Sequence, residues 1–169
     1  HIALDSAGDL YISDSGNRRI RKVDAATGTI TTVAGNGTWA YLGDGSLATE
    51  TGMGSPAGVA VDSSGNVYVA DSNNHTIRKI TPAGAVSTLA GSPGVLGAAN
   101  GTGDAARFNK PRGITVDPVS GTVYVADTYN HKVKRIDPDE RLIETMEPHV
   151  YGVETDRRYY AFDLPEELD

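Results

Sequence analysis

Cysteine is absent from the 169-residue chain. That excludes disulfides, thiolate metal sites and cysteine nucleophiles together, and leaves the compartment open. No run approaches the ~20 apolar residues that a helical membrane span needs, so no membrane partner is expected. No targeting segment is recognisable either. No stretch of about twelve residues carries an apolar stripe at helical spacing. Aromatic residues make up only 7%, with a single tryptophan and two phenylalanines, so any large ring outside the core is informative. Glycine is plentiful, with 20 residues, as is proline with 8, in a chain that is 38% hydrophobic and 22% charged. Such a composition belongs to a folded protein built from short strands and turns.

The charge is unevenly distributed. Residues 138–169 hold ten acidic and three basic side chains, which accounts for the whole net charge of −7, while residues 1–137 hold twelve of each. A neutral body with an acidic extension is a poor partner for phosphate, and nucleic acid is not expected as a ligand.

The chain repeats itself. Asp5-Ser-Ala-Gly-Asp-Leu-Tyr-Ile-Ser-Asp14 returns as Asp62-Ser-Ser-Gly-Asn-Val-Tyr-Val-Ala-Asp71 and again as Asp117-Pro-Val-Ser-Gly-Thr-Val-Tyr-Val-Ala-Asp127. The closing aspartates stand 57 (71 − 14) and 56 (127 − 71) residues apart. Each is followed by a turn ending in Asn17, Asn74 or Asn130 and by a basic, apolar-punctuated strand. Gly58 to Asp62 suits an innermost strand covered on both sides. Val67 to Ala70, Thr76 to Ile80 and Val86 to Ala90 complete a four-stranded meander. One meander is too small to bury its own faces, so the units must stack, and radial stacking makes a propeller. The expected fold is all-β, a partial or open β-propeller of four-stranded antiparallel blades. The expected units are residues 1–55, 56–110 and 111–146, followed by an acidic tail at 147–169. In that tail, Gly152 to Asp156 and Tyr160 to Asp163 echo a blade, so a worn half-blade and a solvated extension are both open.

Pro-x-Gly-(Val/Ile)-x-Val-Asp, then Gly-x-Val-Tyr-Val-Ala-Asp, then Asn-His-x-(Ile/Val)-(Arg/Lys)-(Lys/Arg)-Ile stand at Pro56 to Ile80 and at Pro111 to Ile136. This pattern resembles the NHL repeat. The connectors, with Gly43-Asp-Gly45 and Gly101-Thr-Gly-Asp104, resemble those of bacterial and extracellular NHL proteins. The resemblance implies a propeller that closes with about six blades, and an extracellular or periplasmic setting. With three repeats present, a fragment of a ring or self-association of two copies to complete one is expected.

The connectors Gly35 to Pro56 and Gly91 to Pro111 are far longer than the ~4 to 6 residues usual in compact domains. Long loops on a rigid scaffold commonly carry recognition. Trp39, Tyr41, Leu42, Asp44, Leu96 and Tyr129 are therefore the candidate binding residues, for a protein or glycan partner, with inter-blade packing as the competing role. Asp14, Asn17, Asp71, Asn74, His75, Asp127, Asn130 and His131 recur at fixed repeat positions and are expected to be structural. His75 and His131 sit on successive blades, too far apart to share the ~2.0 to 2.1 Å shell of one zinc ion. No catalytic or metal-binding set is expected, and no cofactor. A ring of Asp5, Asp62 and Asp117 near the channel mouth is the one arrangement suited to calcium, although turn capping also explains these residues. Metal-dependent lyases or lactonases and RNA-binding propellers are implied as alternatives by relatives of the NHL fold. Arg18, Arg19, Arg21, Lys22, Arg78, Lys79, Lys132, Lys134 and Arg135 would form a basic face, and are expected to be solvated.

Overall fold

The computed structural model describes residues 1–146 except Ala40 and Leu42, together with the backbone of His149–Val150 and Tyr160–Ala161. The tail echo at Gly152 to Asp156 and the candidate Leu42 lie outside the described residues. Three meanders follow one another. The first is β1 (Ile2–Leu4), β2 (Leu10–Asp14), β3 (Arg19–Val23) and β4 (Ile30–Ala34), and the second is β5 (Pro56–Val61), β6 (Val67–Asp71), β7 (Thr76–Ile80) and β8 (Val86–Ala90). The third is β10 (Ile114–Val116), β11 (Val123–Asp127), β12 (Lys132–Ile136) and β13 (Leu142–Thr145), with a short β9 (Gly101–Thr102) from the preceding connector added along β13. All pairings within the meanders are antiparallel. Beyond them, β14 (His149–Val150) pairs antiparallel with β15 (Tyr160–Ala161).

Local chemistry explains these elements. Val67–Asp71 and Val123–Asp127 are runs of β-branched and aromatic residues, and each is ended by an aspartate that turns the chain. The turns are single 3₁₀ turns at Ser15–Asn17, Ser72–Asn74 and Thr128–Asn130. Each is closed by a residue in the left-handed region, Arg18, His75 or His131, with φ of 54°, 58° and 54°.

The core lies between blades. Ile20, Ala34, Met53, Val59, Val67, Val69 and Ile80 join the first to the second, and Tyr68, Ile77, Leu89, Phe108, Ile114, Val125 and Ile143 join the second to the third. Met53 and Phe108, equivalent in sequence, are both fully buried. Each such side chain withdrawn from water contributes about 1.5–3 kcal/mol. The first strand β5 lies between β1 and β10, and the three line a cleft of about 300 Å³.

Candidate functional site

In each meander, the turn between the second and third strands and the connector leaving the fourth strand emerge from the same strand ends, so they build one rim. The repeat aspartates hold it together. Asp71 accepts the N–H groups of Gly54 and Ser55 at 2.9 and 3.1 Å and the Asn74 amide at 2.7 Å. Asp127 likewise accepts the Asn109 N–H and the Asn130 amide, both at 2.7 Å. Asp14 accepts the Asn17 amide at 3.0 Å. Burial pushes the Asp71 and Asp127 carboxyls up, and the N–H donors oppose that rise. Asp71 and Asp127 thereby fasten their turns to the segment that enters the innermost strand of the same blade.

His75 reaches across to the next blade, where its Nδ1 accepts the Lys110 N–H at 3.1 Å. Burial and the neighbouring Lys110 charge hold the imidazole below its ordinary pKa. It therefore stands neutral, as a hydrogen-bond acceptor. His131, the equivalent residue on the third blade, is exposed.

The connectors do more than cross between blades. Gly35 N–H donates to Ala48 O and Gly91 N–H to Gly103 O, at 2.8 and 3.0 Å, which closes each connector at its base. The first excursion then folds over the third strand of the second blade. There the Arg78 guanidinium donates to Gly43 O and to Asp44 Oδ1, both at 3.1 Å, and lies 4.6 Å from the Tyr41 ring centroid. Asp44 also accepts the Thr88 N–H and hydroxyl, while the Tyr41 hydroxyl bonds Thr88 Oγ1. The second connector repeats the device. Lys134 Nζ donates to Ala98 O, Ala99 O and Arg107 O at 3.1, 2.8 and 3.0 Å, and stands 5.2 Å from the Phe108 ring.

These contacts correct one expectation. Arg78 and Lys134 belong to no solvated basic face, because both are fully buried. Together with Arg21, which is not fully buried, they hold the middle position of the third strand. Nothing in their sequence separates a buried cation from an exposed one, since the carbonyls that receive them come from connectors 35 and 36 residues away.

Of the candidate binding residues, Tyr41 and Asp44 are thus engaged in holding the first connector on its blade. Trp39, Leu96 and Tyr129 stand outward, 54%, 61% and 49% exposed. Trp39 lies under the Arg18 guanidinium, 5.2 Å from its ring centroid, and that same side chain donates to Gly37 O. Leu96 sits between two turns, since Gly94 N–H donates to Asn74 O and Gly97 O accepts the Asn130 amide. Tyr129 is part of the third turn, with Lys110 and Arg112 against its ring at 5.0 and 5.6 Å. Sequence reading did not single out these two cations as ring partners. The signal available was their departure from Ser55 and Ala57 at the matching positions of the second blade.

At the opposite strand ends, Asp5, Asp62 and Asp117 each cap their own turn, accepting N–H groups from Ala7 and Asp9, Ser64 and Asn66, and Val119 and Ser120. Burial alone raises Asp62, but the Asn66 amide and N–H, the Tyr68 hydroxyl and the Ser64 N–H together hold it below its ordinary value. N–H donors from Ser120 and Val119 do the same for Asp117. Among the described residues, no three histidine or acidic side chains converge as metal ligands would.

Four-stranded meanders stacked with their first strands around a common cleft define a β-propeller. The NHL repeat model matches residues 53–80 and 108–136. Teneurin-3 of Danio rerio is 36% identical over 146 residues, covering 75% of this chain and 5% of that protein. The human NHL repeat-containing protein 2 is 27% identical, covering 81% of this chain and 20% of that protein. An auxiliary nutrient binding protein from Bacteroides thetaiotaomicron superposes with a TM-score of 0.68 at 25% identity, over 86% of this chain and 37% of that one. The chain belongs to the NHL-repeat β-propellers, and spans only a small part of the curated relatives it matches.

Proposed function

We propose that this chain is a binding module without chemistry of its own, and that it recognises a protein partner through the connector rim. The observation that carries the reading is the division of labour among the connector and turn residues. Tyr41, Asp44, Arg78 and Lys134 are spent on fixing the connectors, and this leaves Trp39, Leu96 and Tyr129 presented outward on fixed backbone. Large rings that lose little entropy on binding are the usual anchors of protein interfaces. A glycan partner is less well supported, because the outward set mixes aliphatic Val95 and Leu96 with the rings. An extracellular or periplasmic setting is part of the proposal, supported by the resemblance of the connectors to those of extracellular NHL proteins.

The test is affinity capture from the source organism with the wild-type chain and with Trp39→Ala and Leu96→Ala variants, followed by direct binding of the captured protein. Loss of about tenfold or more in affinity in at least one variant is expected, as for an interface anchor. A partner held equally by all three chains removes the rim as the binding face.

A further inference from the structure

Tyr129 stands apart from its counterparts. The matching turn positions in the first two blades are Gly16 and Asn73, and the residues matching Lys110 and Arg112 in the second blade are Ser55 and Ala57. The repeat therefore builds its blade without this cluster, and packing of the scaffold does not require it. The third blade nonetheless assembles it on fixed backbone. Lys110 has φ of 47° and donates its N–H to His75 Nδ1, Asn109 donates to Asp127, and Tyr129 N–H donates to Asn109 O at 3.1 Å.

The charges in the cluster lack the partners that other cations have among the described residues. Lys22, Arg78 and Arg135 have carboxylate partners, and Lys134 has its three carbonyls. Among the described residues, Lys110 and Arg112 have no carboxylate within ion-pair distance. They flank a half-exposed ring, beside a turn whose Asn130 amide bonds the residue following the exposed Leu96.

We infer that Lys110, Arg112 and Tyr129 form a site for an acidic segment of a protein partner, with carboxylates on the two cations and an apolar side chain against Tyr129 and Leu96. This rests on the rim reading above and gives it a ligand chemistry. Charge complementarity favours a short acidic peptide over a polyphosphate. A nucleic acid gains its affinity by neutralising many phosphates at once. Here two cations serve a body of zero net charge whose opposite turns carry Asp5, Asp24, Asp62, Asp117 and Asp137. Ion pairs to partly buried Lys110 and exposed Arg112 are together worth about two- to thirtyfold in affinity.

The probe is a short fluorescein-labelled peptide alternating leucine and glutamate, followed by fluorescence polarisation. A leucine–lysine counterpart and a sulfated oligosaccharide serve as competitors in kind. The proteins are the wild-type chain, Lys110→Gln/Arg112→Gln, Tyr129→Ala, and a Lys79→Gln control that removes a cation from the ring of buried Tyr68. Matching thermal transitions by circular dichroism establish that each variant is folded. We expect the acidic peptide to bind the wild-type chain, to bind the double variant about tenfold more weakly, and to bind Lys79→Gln within about twofold. Equal binding of the two peptides overturns the assignment. So does an unaltered double variant, or a sulfated oligosaccharide that alone shows this dependence. If the peptide fails while Trp39→Ala still releases a captured partner, the acidic-segment assignment falls and the rim reading stands. If both fail, both fall.

Discussion

The backbone N–H of Lys110 donates to Nδ1 of His75 at 3.1 Å, a hydrogen bond that leaves one blade and ends on the next. Only the neutral imidazole, with its proton on Nε2, accepts it. Because the folded chain holds the His75 pKa below its ordinary value, the unfolded chain takes up the proton first as pH falls. The stability carried by this group is present above the ordinary histidine range. It is lost as pH falls from that range through the lower folded value. His75→Asn retains a side chain that tolerates the left-handed backbone and an oxygen that accepts, and it has no titration. Urea midpoints at about pH 8 and about pH 5 are expected to differ less for His75→Asn than for the wild type. Equal differences would assign the pH dependence to other groups.

Gly35 and Gly91 occupy matching positions with φ of 90° and 89°, and a Cβ on them would stand 2.1 Å from Arg18 O and 2.5 Å from His75 O. Gly91→Ala is expected to cost about 2–4 kcal/mol, combining the left-handed penalty with displacement of backbone. Gly16 has open space and no such backbone angle, so Gly16→Ala is expected to change stability by no more than about 1 kcal/mol. Chemical denaturation of the two variants side by side checks the contrast.

Lys134 is the donor for three connector carbonyls. Lys134→Met fills much of the same space but leaves those carbonyls without their donor, so a loss of about 2–4 kcal/mol is expected. Hydrogen exchange should report that loss as faster exchange in the connector at 91–111, with the N–H of Arg107, bonded to Ala99 O, among those affected. A variant as stable as the wild type would mean that water replaces the ammonium.

Tyr41 and Trp39 stand two residues apart, and the structure gives them different work. Tyr41→Phe removes the hydroxyl bond to Thr88 and Asp44 and is expected to cost about 1 kcal/mol. Trp39→Ala removes a half-exposed ring that lies under the Arg18 guanidinium. Its expected cost is about 0.5 kcal/mol or less, so that its effect appears in binding. Thermal melts of both variants separate these roles.

Much of the scaffold was legible in the linear sequence, because strand alternation, Asx turns and the 56 to 57 residue period are local or repeated signals. The strands at Val67–Asp71 and Thr76–Ile80 fall where the repeat predicts them. In the turn between these strands the Asn74 amide donates to Asp71 at 2.7 Å. The short β9 along β13 was not legible, because Gly101–Thr102 is only two residues long, begins with glycine, and is defined by its partner Leu142–Ile143.

What the sequence by itself determined is therefore the repeated blade and the chemistry of its turns, for which each residue's neighbours in the chain suffice. Tertiary structure alone decided which cations are buried, with Arg78 and Lys134 under the connectors and Lys110 and Arg112 against an outward tyrosine. It also decided which rim residues hold the connectors in place and which stand exposed. The physical reason is that a cation is buried only when carbonyls or carboxylates from elsewhere in the chain replace its water, and those partners are brought to it by the stacking of blades.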